Sequence, residues 1–353
     1  MRAYAVKLFC EPIVEINAPD PQPTGTEVVV DVTRCGVCHS DLHLQEGFYD
    51  LGGGKKLSLA DRGVTPPVIL GHEVLGRLAA KGPDAPIGDD MIGKTFLVHP
   101  WLGCGTCEIC QRGDDNLCPK PNSIGVHRAG GYAEKCLVPH PRYLVDVTGI
   151  DPTLAATYAC SGLTAYSALK KVDIALDRDW LLILGVGGVG LSGLEIAKGL
   201  GYKNIAVADI DPAKRELALA SGASLVIDPR DADALTTLQS KTGGGVAAAI
   251  DFVGAHATAE FGIAAIRKAG TYVVVGLFGG DITLSIPLLV LRAINLRGSY
   301  VGNIGELREL IDLVKQGRVR PMPVEAVPMA QANAALDRLR AGKVKGRLVL
   351  ERN

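Results

Sequence analysis

Five short stretches of this 353-residue chain hold the residue types that do chemistry: "RCGVCHSDLH" (34–43), "GHE" (71–73), "CGTCEICQRGDDNLC" (104–118), "YACSGLTAY" (158–166) and "GVGGVG" (185–190). In the first, Cys35 and Cys38 form a Cys-x-x-Cys pair, which suits either a thiol redox couple or half of a zinc site; taken alone, the stretch leaves both open. In the third, Cys104, Cys107, Cys110 and Cys118 supply four soft thiolates from one loop. Such a set can close a tetrahedron around Zn²⁺ with no open position, the mark of a structural site, and an iron–sulfur cluster is the competing reading. A second, open metal site would have to gather ligands from distant segments. Cys38, His72 with Glu73, and Cys160 are the candidates, each weak alone, because an isolated histidine is more often a satisfied polar residue and a lone cysteine a small core residue.

The glycine motif directly follows an apolar run, "WLLIL", and directly precedes a helical pattern, "LSGLEIAKGLG". Strand, glycine turn and helix in that order place a helix N-terminus, with its free amides and positive dipole end, where a pyrophosphate can sit. Gly185, Gly187, Gly188 and Gly190 are the turn residues. The acidic residue expected about 20 positions on is Asp209, in "AVADIDP". A carboxylate there bonds the adenosine ribose hydroxyls and repels a 2′-phosphate, which favours NAD over NADP. Lys214 and Arg215 stand nearby as cations able to accommodate part of that phosphate.

The elements that must position these residues fall into two styles. The first part is irregular β structure, with period-two alternation in "EVVVDVT" (27–33). Residues 49–67 are loop-like, with three consecutive glycines and a closing Pro pair, and are expected to form an exposed, mobile excursion. After about Thr153 short apolar runs alternate with helical patterns, the grammar of βαβ units and a parallel sheet. Six strands are predicted, at 180–184, 204–208, 224–227, 248–252, 271–275 and 295–300, forming a doubly wound sheet. In "DIDPAKRELALASG", Asp211 suits the N-cap, Pro212 the first helical position and Gly222 the left-handed stop. The last stretch carries helical patterns in "IGELRELIDLVKQG" and "AQANAALDRLRAG" and then a strand, "RLVLE", which suggests a return to the first domain.

Bulk composition bounds the function. At this length two domains are expected. Apolar residues make up 47% and charged residues 21%, an ordinary balance for a compact protein. A formal net charge of −1 supplies no basic field for nucleic acid or anionic lipid. No apolar run reaches the roughly 20 residues of a membrane span, and no signal-peptide pattern opens the chain. A cytoplasmic protein without nucleic-acid or membrane partners is expected, and its nine cysteines are read as metal ligands or core residues.

The motifs together, in their order and spacing, resemble the zinc-dependent medium-chain alcohol dehydrogenases: "CGVCHSDLH", "GHE", the four-cysteine lobe, "CSGLTAY", "GVGGVG" and the terminal "KGRLVL". The resemblance covers essentially the whole chain. It implies an α/β protein: a GroES-like, mostly-β catalytic domain (1–162, completed by 301–353) and an inserted Rossmann domain (163–300), with the site in the cleft between. It implies two Zn²⁺ per subunit. The catalytic ion would be held by Cys38, His72 and Cys160, with Glu73 as a transient ligand, and the structural ion by the four-cysteine lobe. Ser40 and His43 would relay a proton, Asp41 would orient His72, and His39, Thr164, Lys214, Val253 and Arg347 would contact the cofactor. Trp101 and Tyr49 are candidates for the substrate wall.

The implied reaction is reversible hydride transfer between NAD and a primary or secondary alcohol ionised at zinc, giving an aldehyde or ketone. A specialised polyol, aryl or acyl-thioester-linked alcohol dehydrogenase is the alternative enzyme, and a non-catalytic zinc- and nucleotide-binding protein the alternative from another class. "INLRGSYV" resembles the segment through which such nucleotide domains pair, implying a homo-oligomer, dimer or tetramer.

Overall fold

The computed structural model describes residues 1–352. The alternating "EVVVDVT" stretch forms the strand Val28–Gly36, which sits centrally in a seven-stranded sheet. One neighbour is Glu73–Lys81, antiparallel, with Cys35 opposite Val74 and Gly36 opposite Glu73. Along its other edge Lys135–Val138 pairs with Val28–Asp31 and Arg347–Glu351 with Arg34–Gly36, Val349 standing opposite Gly36 and Leu350 opposite Cys35. The last strand of the chain is thus built into the sheet that its first hundred residues begin. Gly36 makes the pairing with Glu73 feasible: a Cβ there would lie 1.7 Å from Glu73 Oε2.

All six strands expected in the second region form, and they pair in parallel. Counted in chain order, their spatial order is 3-2-1-4-5-6, so the order reverses beside Trp180–Leu184, which is where such sheets bind ligands. The edges differ from expectation by a few residues. The fifth strand starts early, at Ile266, because an irregularity with Ala269 at φ 60° lets the chain pair twice with its neighbour. The sixth stops at Gly298, so Tyr300 leaves the sheet. The helix Pro212–Ala220 is capped by the Asp211 side chain, which accepts from the amide of Ala213, and Gly222 follows at φ 92°.

Two local features depart from the sequence reading. Residues 49–67 do not form a plain exposed excursion. Phe48–Asp50 and Lys56–Ser58 make a hairpin whose turn glycines, Gly52 to Gly54, all take positive φ, and Leu59 and Val64 are buried as anchors. Cys160, read as lying at a helix start, instead sits inside a π-helical turn, Tyr158–Gly162, between the helices Pro152–Thr157 and Leu163–Leu169. The wider turn inserts one residue into the helical register, a distortion that occurs mostly at functional sites.

One hydrophobic core joins residues of both sheets, among them Leu75, Leu97, Tyr158, Leu194, Leu310 and Val349. Among the described residues, no helix is long and apolar enough to cross a membrane.

Candidate active site and metal centres

The four-cysteine lobe is a compact sulfur cage. Its Sγ atoms lie 3.5 Å (Cys107–Cys110), 3.8 Å (Cys107–Cys118) and 4.0 Å (Cys104–Cys110) apart. Zn–S bonds of about 2.3 Å in a tetrahedron put sulfurs about 3.8 Å apart, so the cage fits zinc without rearrangement. Backbone amides of Cys104 and Lys120 point at Cys118 Sγ, and that of Cys107 at Cys104 Sγ, which offsets thiolate charge. Hydrogen bonds from Thr106 and Cys107 hold the Cys104 thiol down to about 5. The lobe also grips the chain leaving the parallel sheet. Asn116 Nδ2 donates to the Tyr300 carbonyl at 3.0 Å, and Asn303 Nδ2 donates to Asp114 Oδ1 at 3.1 Å.

The second cluster gathers Cys38, His72, Glu73 and Cys160, all buried, with one ligand atom of each within 4.8 Å of the others. Cys38 caps the helix His39–Glu46, and its amide donates to Asp41 Oδ2 at 2.9 Å. Asp41 is fully buried: Oδ2 also accepts from the Tyr132 hydroxyl, and Oδ1 faces His72 Nδ1 at 3.4 Å. That arrangement sets the His72 ring, and His72 Nε2 is buried with no hydrogen-bond partner. Cys38 Sγ and Cys160 Sγ are 3.9 Å apart, again close to a tetrahedral edge. A hydrogen bond from Cys160 lowers the Cys38 pKa, while the same contact and burial raise that of Cys160. Two thiolates and a neutral imidazole balance the charge of a divalent ion. An orphaned buried nitrogen and a borderline-soft S₂N donor set therefore fit a Zn²⁺ site with a position to spare.

Glu73 and Arg347 form a buried pair behind this cluster. Arg347 Nη2 lies 2.6 Å from both Glu73 oxygens and donates to the Val37 carbonyl at 2.9 Å. Burial pushes the Glu73 pKa up to about 7 against the pull of Arg347. The Arg347 stem packs on the glycine turn, where a Cβ on Gly188 would meet its Cδ at 2.2 Å. One arginine therefore touches the metal cluster and the nucleotide turn together.

Gly187 caps the helix Gly188–Leu200, and the turn is closely packed: a Cβ on Gly190 would lie 1.8 Å from the Gly185 carbonyl oxygen. Val253 presses on Gly185, and Thr164 Oγ1 is buried without a partner. Asp209 ties the second strand to the turn, accepting from the amides of Val186 at 2.8 Å and Asp211 at 2.9 Å. His39 is exposed in the cleft; desolvation lowers its pKa, with Arg347 and Lys214 adding to the effect.

Ser40 Oγ lies 3.8 Å from Cys38 Sγ. His43, one turn further on, packs against Tyr49 with ring centroids 5.0 Å apart and the planes tilted by 52°, and burial lowers its pKa. Trp101 faces the other side, 5.1 Å from the His72 ring and 6.2 Å from that of Tyr300, with its indole N–H on the Ala159 carbonyl. The sequence reading did not single out Tyr132 or Tyr300. Tyr300 was visible only as an aromatic closing a strand, and nothing local signals that Tyr132 meets an aspartate 91 residues away.

This geometry has relatives. Residues 24–149 match the alcohol dehydrogenase GroES-like domain and residues 188–316 the zinc-binding dehydrogenase domain. An NAD-dependent alcohol dehydrogenase of Sulfurisphaera tokodaii is 34% identical, with 99% of each chain covered. A D-arabinose 1-dehydrogenase (NADP(+)) of Saccharolobus solfataricus is 30% identical, over 99% of this chain and 97% of that one. The crystal structure of an alcohol dehydrogenase from Aeropyrum pernix superposes with a TM-score of 0.89 at 29% identity, covering 99% of this chain and 100% of that one. The chain belongs to the zinc-dependent medium-chain alcohol dehydrogenase family.

Elemental analysis of the purified protein should find two zinc ions per chain. Cys110→Ser should leave one and lower Tm by about 5 °C or more, because structural metal binding is folding energy. Cys160→Ser should also leave one while keeping the fold. Unchanged zinc content in either variant would remove that residue from its site.

Proposed function

We propose that the protein is a zinc-dependent, NAD-linked alcohol dehydrogenase that interconverts primary or secondary alcohols with aldehydes or ketones. The observation that carries this reading is the buried Cys38–His72–Cys160 set joined to the glycine turn through Arg347. When bound, zinc supplies Lewis acidity toward a substrate oxygen and NAD supplies a hydride acceptor. Asp41 holds His72 in its ligating orientation, and Tyr132 holds Asp41. Glu73 stands beside the ligands as a reserve donor, restrained by Arg347.

Ser40 accepts the substrate proton and His43 passes it to solvent. Burial lowers the His43 pKa, so the base form needed for that step persists below the usual histidine range. Trp101, Tyr49 and Tyr300 wall the substrate space. Lys214 and Arg347 provide positive charge around the glycine turn, His39 offers a neutral ring N–H toward the phosphates, Thr164 and Val253 line the nicotinamide end, and Asp209 faces the adenosine ribose. The relative that uses NADP(+) means that family membership alone leaves cofactor choice open; the case for NAD rests on Asp209.

Residues 1–162 with 301–353 constitute the catalytic unit and 163–300 the nucleotide unit, a division supported by the six-stranded parallel sheet sharing no strand with the seven-stranded one. The protein forms a homo-oligomer through the edge of the parallel sheet. That edge strand, Asn295–Gly298, is exposed throughout, and Phe278, Ile286, Val290 and Leu291, in the segment that leads into it, stand in solvent.

Zinc-loaded protein mixed with NAD and a panel of primary and secondary alcohols, aldoses included, should produce NADH, and a chelator should stop it. No turnover across the panel with both zinc sites full would refute the reading. His43→Ala should slow alcohol oxidation by an order of magnitude or more. The loss should be greatest below neutral pH and partly rescued by buffer base; a pH profile parallel to wild type would remove His43 from proton transfer. Leu291→Glu should yield monomers in sedimentation, whereas an unchanged assembly would place the interface elsewhere.

A further inference from the structure

Beside Asp209 the fold assembles a group of charges that ribose binding alone does not require. The second and third strands of the parallel sheet run side by side with Ala208 opposite Ile227, so Asp209 and Asp228 leave the sheet as neighbours. Asp228 is only 10% exposed in its side chain and engages two arginines. Arg215 Nη1 donates to its Oδ2 at 3.0 Å. Arg230 donates through Nε to Oδ1 at 2.9 Å and through Nη2 to Oδ2 at 2.6 Å, and its backbone amide adds a bond of 3.0 Å.

The same guanidinium groups lean on the backbone at the end of the second strand. Arg215 Nη1 donates to the Asp209 carbonyl at 2.6 Å, and Arg230 Nη2 to the Ile210 carbonyl at 2.9 Å. Both arginines therefore border the residue proposed to read the adenosine ribose. Their bonds, those of Arg230 foremost, hold the Asp228 carboxyl well below the usual carboxylate range, so it stays charged at any working pH.

Guanidinium forks bind the oxygens of a phosphomonoester as readily as those of a carboxylate, through paired charge-assisted hydrogen bonds. Two of them next to a ribose 2′ position are the donor set that an NADP enzyme needs. Here the Asp228 carboxylate already occupies those donors, and its charge adds to that of Asp209 against an incoming phosphate.

We infer that Asp228 is a specificity-determining residue for the cofactor: it engages Arg215 and Arg230 and so keeps a latent 2′-phosphate site closed in favour of NAD. The inference rests on the nucleotide reading of the glycine turn and Asp209. It explains how a chain with two arginines at the ribose end can still reject NADP. The opposite arrangement, in which Asp228 orients the arginines to receive a phosphate, makes the contrary prediction for the same variant.

The test is calorimetric binding of 5′-AMP and 2′,5′-ADP to the full-length, zinc-loaded protein, a readout independent of turnover. Wild type should favour 5′-AMP. Asp228→Asn should tighten 2′,5′-ADP binding by roughly tenfold, the effect of about one added charge-assisted hydrogen bond, and leave 5′-AMP within about twofold. Adding Arg230→Ala to that variant should abolish the gain. In the wild-type background Arg230→Ala should change neither ligand, which keeps the inference testable should Asp228→Asn fold poorly. Unchanged or weaker 2′,5′-ADP binding by folded Asp228→Asn, or a loss of 2′,5′-ADP affinity in the single Arg230→Ala variant, would overturn the role of Asp228. A wild-type protein that binds neither nucleotide would instead overturn the nucleotide reading beneath it, and the inference with it.

Discussion

The buried pair of Arg347 with Glu73 is the contact on which the catalytic half of the molecule depends. Neither charge could remain in the interior alone, since an unpaired buried ion costs several kcal/mol. Arg347 opens the last strand of the chain, and Glu73 opens the strand two places away in the sheet, with Val28–Gly36 between them. The arginine stem also fills the space that Gly188 leaves open. Satisfying one pair of charges thus fixes the sheet register, the wall behind the metal cluster and the approach of the nucleotide turn. Removing either partner alone would disturb all three.

The two metal sites divide along a physical line. The lobe draws four thiolates from 15 consecutive positions and leaves no opening, so its ion can only hold structure. The inner site takes three ligands from segments more than thirty residues apart, and its shape depends on the completed fold. The lobe also reaches beyond itself: Asn116 and Asp114 hold the backbone of Tyr300 and the side chain of Asn303, and the Tyr300 ring meets Trp101 edge-on beside His72.

What the sequence revealed follows the same line. The four-cysteine lobe, the glycine turn with Asp209, the Asp211 cap and the six strands all carry residue patterns at short or fixed spacing, which spacing and periodicity report directly. In "RCGVCHSDLH" the order of motifs along the chain separated Cys38 from Cys35, and the fold places Cys35 in the core with no part in the cluster. Contacts between separate segments were not legible: Tyr132 on Asp41, the guanidinium of Arg347 on Glu73, and Arg215 on Asp228. Each joins polar side chains whose local surroundings carry no periodic signal. The hairpin at 48–58 departs from the expected loop because its glycines are the turn residues that let two short strands pair. The π turn at Cys160 escaped because an apolar helical pattern does not report one inserted residue.

The position of the strand Arg347–Glu351 bears on how the molecule is made. A growing chain displays Val28–Gly36 early, and Lys135–Val138 covers the Val28–Asp31 half of one edge, but the Arg34–Gly36 half waits for Arg347–Glu351. Until then Glu73 lacks its countercharge and that short end of the strand presents open hydrogen-bonding groups, the kind of surface that invites pairing between chains. The wall behind the metal cluster can therefore close only after the nucleotide half has been made, so loss of the strand Arg347–Glu351 would affect the metal site more than 270 residues upstream.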